Sequence, residues 1–242
     1  MNTIANTLAS AIASQDLGRV KRMKRIICDN IGLALEHMQR HGRAFTPKFT
    51  IDADNRWVYT QLIHWINYCP EMKAVDPIEL RDHKTVKVIP ADLDKGIYLC
   101  GPTGTGKSLA LEVLNEFVRI DNPTVRVAGK VKPLVWACYR AEDIWEDVSR
   151  HDSALEFYKK MPILCMQDLG SEPASEAIYM GSRREPLRQI LEYRGDRNDL
   201  ITIISSNYPI FDPVMQQRYS DRVLSRLKGM CNMLILSGKD RR

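Results

Sequence analysis

Gly101-Pro-Thr-Gly-Thr-Gly106-Lys107-Ser108 matches the pattern G-x-x-x-x-G-K-[ST] at every fixed position. The chemistry of a polyphosphate explains the spelling. Gly101, Gly104 and Gly106 allow backbone conformations closed to other residues, so that successive N–H groups turn inward on an anion, with Pro102, Thr103 and Thr105 filling the open positions. Lys107 offers a point charge to the outer phosphates, and the Ser108 hydroxyl can ligate Mg²⁺. A short apolar run, Ile97–Cys100, enters the loop, and an amphipathic helix from Leu109 to Ile120 leaves it with its N-terminal dipole on the phosphates. The loop therefore implies an ATP site built on a strand–loop–helix unit.

Outward from the loop, apolar runs at Leu134–Cys138, Ile163–Met166 and Leu200–Ser205 alternate with helical patterns at 108–120, 141–150, 174–194 and 213–228. That alternation predicts βαβ units and a central parallel sheet flanked by helices, an α/β fold. Upstream, Leu17, Val20, Met23, Ile27, Ile31, Leu35 and Met38 fall at helical spacing and predict a helix over 16–40, with Asp16 as its cap. A second helix is expected over 55–68, and a short strand around Val86–Ile89 within a Pro-rich connection. Two parts follow: a basic helical N-terminal segment, 1–44, and the α/β domain, 45–242.

The chain has 242 residues, enough for one substantial core, and a formal net charge of +5 that permits an acidic partner without demanding one. Arg19, Lys21, Arg22, Lys24 and Arg25 concentrate part of that charge, as a solvated helix face or as a contact for a phosphate backbone or acidic partner. The six cysteines show no CxxC pair, and they read as reduced thiols of a cytoplasmic protein rather than as metal ligands or disulfides. No apolar run approaches the roughly 18 residues of a membrane span, and Met1–Ser14 lacks the pattern of a secretory signal.

Four stretches taken together, KGIYLCGPTGTGKS (95–108), PILCMQDLGSE (162–172), TIISSN (202–207) and SDRVLSRLKGMCNMLILSGKDRR (220–242), resemble the AAA+ ATPases of the DnaC-type helicase-loader and IstB-type transposition-helper group. The resemblance covers about residues 45–242. It implies an AAA+ domain without a C-terminal helical lid, and ATP with Mg²⁺ as cofactors. Asp168 becomes the acidic group serving metal and attacking water, Asn207 a polar sensor, and Arg226, with Arg222 close behind, an arginine finger reaching a neighbouring subunit. The group has two acidic residues after the apolar run; here Gln167 holds the first place, so slow hydrolysis is expected, with Glu172 the nearest other candidate should Asp168 be the metal-side group. The resemblance further implies an ATP-dependent homo-oligomer that grips DNA, single-stranded in the first instance, and delivers a partner: a replicative helicase for a loader, or a transposase for a transposition helper. An ATP-binding switch with little turnover is the third reading. A small-molecule kinase would need an arginine-bearing lid segment between its last strands, and the sequence has none.

Overall fold

A computed structural model of the chain describes residues 21–22, 30–173, 177–179 and 182–241. Its strands are β1 (Lys21–Arg22), β2 (Lys73–Val75), β3 (Val88–Pro90), β4 (Gly96–Cys100), β5 (Thr124–Val127), β6 (Lys130–Pro133), β7 (Cys138–Arg140), β8 (Ile163–Leu169), β9 (Ala177–Tyr179), β10 (Ser182–Arg184), β11 (Ile201–Ser206) and β12 (Cys231–Ile235). The helices are α1 (Ile31–Phe45), α2 (Arg56–Ile66), α3 (Pro77–His83), α4 (Lys107–Asp121), α5 (Ala141–Arg150), α6 (Asp152–Lys160), α7 (Pro186–Gly195), α8 (Pro213–Arg218) and α9 (Asp221–Met230).

Seven strands form the central sheet in the order β3-β2-β12-β4-β11-β8-β7. The five from β12 to β7 run parallel, while β2 and β3 extend one edge in antiparallel pairing. Alternation along each strand divides the core in two. Ile97 and Leu99 of β4 face one side with α1, α2 and α4, whereas Tyr98 and Cys100 face α5 to α9 on the other. Both faces of β4 are thus covered, which is why its sequence reads as an unbroken apolar run.

Several expectations from the sequence need correction. The helix expected over 16–40 begins at Ile31, because Asn30 caps it by accepting the Leu33 N–H at 3.2 Å. Within that range Lys21–Arg22 pair with β5 as a short antiparallel strand, and 1–20 and 23–29, with most of the basic cluster, lie outside the described residues. Helix α1 packs Ala34, Leu35 and Met38 into the same core as α4. The run Leu134–Cys138 is strand only from Cys138, as Leu134 and Trp136 are buried under the α4 face in irregular backbone. The pattern at 174–194 resolves into the β9–β10 hairpin followed by α7, with Pro186 in the first turn of that helix. The pattern at 213–228 is two helices, for Ser220 ends the first stretch and caps α9. Among the described residues no helix is long and apolar enough to cross a membrane.

Candidate functional site

The phosphate loop links the buried β4 to α4, and its glycines sit where the backbone demands them. Gly104 and Gly106 have φ of 83° and 89°. A Cβ on Gly101 would run into the Leu236 carbonyl oxygen, just after β12, where Leu236 N–H donates to the Cys100 carbonyl at 2.7 Å. Thr105 is buried and donates its hydroxyl hydrogen to the Pro102 carbonyl at 2.9 Å.

Lys107 is only 5% exposed, and its ammonium donates to Gly101 O at 2.9 Å, Pro102 O at 2.9 Å and Asn207 Oδ1 at 2.8 Å. The three oxygens match the three N–H donors of an ammonium. Asn207 follows β11 directly, so this contact ties the end of that strand to the loop.

Asp168, in β8, belongs to the same cavity. Gln167 and Asp168 together lie opposite Ser205, a two-against-one bulge, and Asp168 N–H donates to Ser205 Oγ at 3.0 Å. At the bulge Asp168 takes a φ of 57°. A left-handed backbone at a residue other than glycine costs energy, about 1–3 kcal/mol, and such strain concentrates at working sites. The Gln167 side chain turns away from the cavity: it is buried and donates from Nε2 to Glu112 Oε1 at 3.1 Å, on the α4 face.

The cavity measures about 820 Å³ and is lined by Thr103 to Ser108, Asp168 and Asn207. Its far wall comes from elsewhere in the chain: Phe49, Asp52 and Tyr59 around the start of α2, Arg140 at the end of β7, and Lys239 and Arg241 beyond β12. Five cations (Lys48, Lys107, Arg140, Lys239, Arg241) against two carboxylates (Asp52, Asp168) make it a place for an anion. Arg241 holds the wall together. Its backbone N–H donates to Gly104 O at 2.9 Å, and its guanidinium donates to the two Asp52 oxygens at 2.9 and 2.8 Å. That hydrogen-bonded guanidinium holds the Asp52 carboxyl below its ordinary pKa. Ser108 and Asp168 offer hard oxygen donors of the kind Mg²⁺ takes.

The remaining sequence candidates lie apart from this cavity. Arg222 and Arg226 are on α9; Arg222 is exposed, while Arg226 packs against Gly195 and donates from Nε and Nη2 to Asp196 Oδ1 at 2.9 and 2.6 Å. Glu172 is buried, accepts from Gly170 N–H at 2.8 Å and from the Tyr219 hydroxyl, and lines a second cavity. Sequence reading missed Arg140, Tyr59, Lys239 and Arg241, which share no local spacing with the loop. Arg140 carried one signal, its place at the C-terminal end of a parallel strand, where ligands of such sheets gather.

No protein-family model matches the chain, and no curated protein matches it. Among solved structures, a protein ascribed to the primosome of Streptococcus pyogenes serotype M3 superposes with a TM-score of 0.50 at 20% identity, over 79% of this chain and 84% of that one. What the two share is the fold, a mostly parallel sheet flanked by helices. A DnaC helicase loader aligns at 20% identity over 82% of this chain and 99% of its own, with a TM-score of 0.46. AMPPCP-bound DnaA from Aquifex aeolicus aligns at 15% identity over 80% and 50%, with a TM-score of 0.47.

Proposed function

We propose that this AAA+ domain binds Mg·ATP in the 820 Å³ cavity, hydrolyses it slowly, and serves DNA replication as a loader that delivers a helicase. The observation that carries the nucleotide reading is the set of three hydrogen bonds made by Lys107, which joins the phosphate loop to Asn207 beside Asp168. An incoming phosphate oxygen takes the place of one of these acceptors, so binding is sensed directly at the end of β11. Asp168 orients the attacking water, and Ser108 with Asp168 would hold Mg²⁺, which supplies charge neutralisation at the phosphates. With Gln167 in place of a second carboxylate, less charge stands at the strand end, and turnover is correspondingly slow. Residues 1–44 are proposed to contact the helicase or DNA, and the likeness to the primosome-ascribed protein supports replication as the setting.

Binding of a fluorescent, non-hydrolysable ATP analogue tests the site. Lys107→Ala is expected to abolish Mg²⁺-dependent binding, since it removes the cation among the phosphates. Wild-type affinity in that variant would overturn the assignment. Co-purification of the full chain with the replicative helicase tests the loader role, and capture of a transposase in its place would move the reading to a transposition helper.

A further inference from the structure

Far along α2 from the nucleotide cavity, the turn leaving the helix gathers three side chains of different chemistry. His64 is in the last turn of α2. The chain reverses at Tyr68, whose φ is 54°, and Cys69 N–H donates to the His64 carbonyl at 2.9 Å, which brings Cys69 back beneath the histidine. Two residues on, Glu71 accepts the Cys69 thiol hydrogen at 2.8 Å. One imidazole nitrogen, the thiol sulfur and a carboxylate oxygen all lie within 4.8 Å of one another.

A second observation comes from the polar atoms buried without a hydrogen-bond partner among the described residues. Of the five, His64 Nδ1 and Asn67 Oδ1 both belong to this turn. Buried polar atoms are nearly always satisfied, and a pair left open in one turn calls for a missing partner.

We propose that His64, Cys69 and Glu71 form a binding site for a divalent metal ion of the Zn²⁺ class. Imidazole nitrogen, thiolate sulfur and carboxylate oxygen are the three zinc ligand types, and three protein ligands leave a fourth position for water. On binding, the Cys69 sulfur bonds to the metal and its proton leaves to solvent, so uptake releases a proton and tightens as pH rises. The ion would tie the end of α2 to the chain entering β2.

The full chain, stripped with chelator under reducing conditions and free of nucleotide, is titrated with Co²⁺ and then Zn²⁺. One equivalent of Co²⁺ should give a near-ultraviolet thiolate-to-cobalt charge-transfer band with the visible bands of four-coordinate cobalt, and Zn²⁺ should displace it. Cys69→Ser should lose the charge-transfer band. His64→Gln should weaken Zn²⁺ by more than the roughly 10–100-fold that loss of an outer-sphere partner costs. Glu71 is exposed, so Glu71→Gln carries the test even where Cys69→Ser fails to fold, and it should weaken Zn²⁺ by about tenfold or more. Absence of stoichiometric binding, a charge-transfer band that survives in folded Cys69→Ser, or unchanged Zn²⁺ affinity in Glu71→Gln would each overturn the proposal.

Discussion

The residue pair Gln167–Glu112 sets an amide of β8 against a carboxylate of α4. Glu112 lies one helical turn beyond Ser108 on α4, and Gln167 reaches it from β8 with a 3.1 Å hydrogen bond. Gln167→Glu alone would set two carboxylates against each other in a half-buried place and is expected to cost about 1–2 kcal/mol. The exchange Glu112→Gln with Gln167→Glu restores one carboxylate and one amide, and should recover most of that loss. Thermal unfolding of the three variants and the wild type gives the coupling energy, expected above about 1 kcal/mol; additive effects would show that the contact carries no weight.

Where elements meet, Arg194 dominates. Its side chain is 1% exposed and knits α7 to its surroundings: Nε donates to Thr202 Oγ1 at 2.9 Å, Nη1 to Met161 O at 2.6 Å and Nη2 to Ile201 O at 2.6 Å. Burial draws its pKa down to about 9, still charged at neutral pH. Arg194→Ala would leave these oxygens without donors and is expected to cost about 3 kcal/mol or more, a fall in Tm of about 10 °C for a chain of this length. Circular dichroism melts check it, and a change under about 1 kcal/mol would show that water replaces the guanidinium.

Elements differed in how plainly their sequences announced them. The loop and β4 were legible because an unbroken apolar run followed by fixed glycines has few other uses. Strand β12 was not, because it starts at Cys231 directly after the last residue of α9, with no loop to separate the two patterns even though Gly229 stands in the last turn of the helix. The hairpin β9–β10 hid within a helical pattern because short strands fix too few positions to set a period. In the site, Lys107, Ser108, Asp168 and Asn207 could be found from motifs, and the fold brings them to one cavity. Tyr59 and Arg241 could not, because only the tertiary structure makes them neighbours.

Across the molecule, neither arginine of α9 reaches its own chain's cavity, as a group acting on a neighbouring subunit would not. If subunits assemble on ATP, mixing Arg222→Ala with Lys107→Ala should restore part of the turnover that each lacks, because one mixed interface pairs an intact loop with an intact arginine. The same mixture with Arg226→Ala separates the two candidates: Arg226 must first leave Asp196, whereas Arg222 is exposed already. ATPase assays at fixed total protein read the outcome, and no recovery in either mixture would make both arginines structural.

The position of β12 has a consequence for biosynthesis. This strand lies between β2 and β4, and the Arg241 contact with Asp52 spans 189 residues of sequence. A nascent chain emerging from the ribosome therefore presents β4 with one open edge until residues 231–235 have been made, and the far wall of the cavity cannot close before residue 241 appears. Pairings of such long sequence separation form late and slowly, and an open apolar strand edge invites association in the interval.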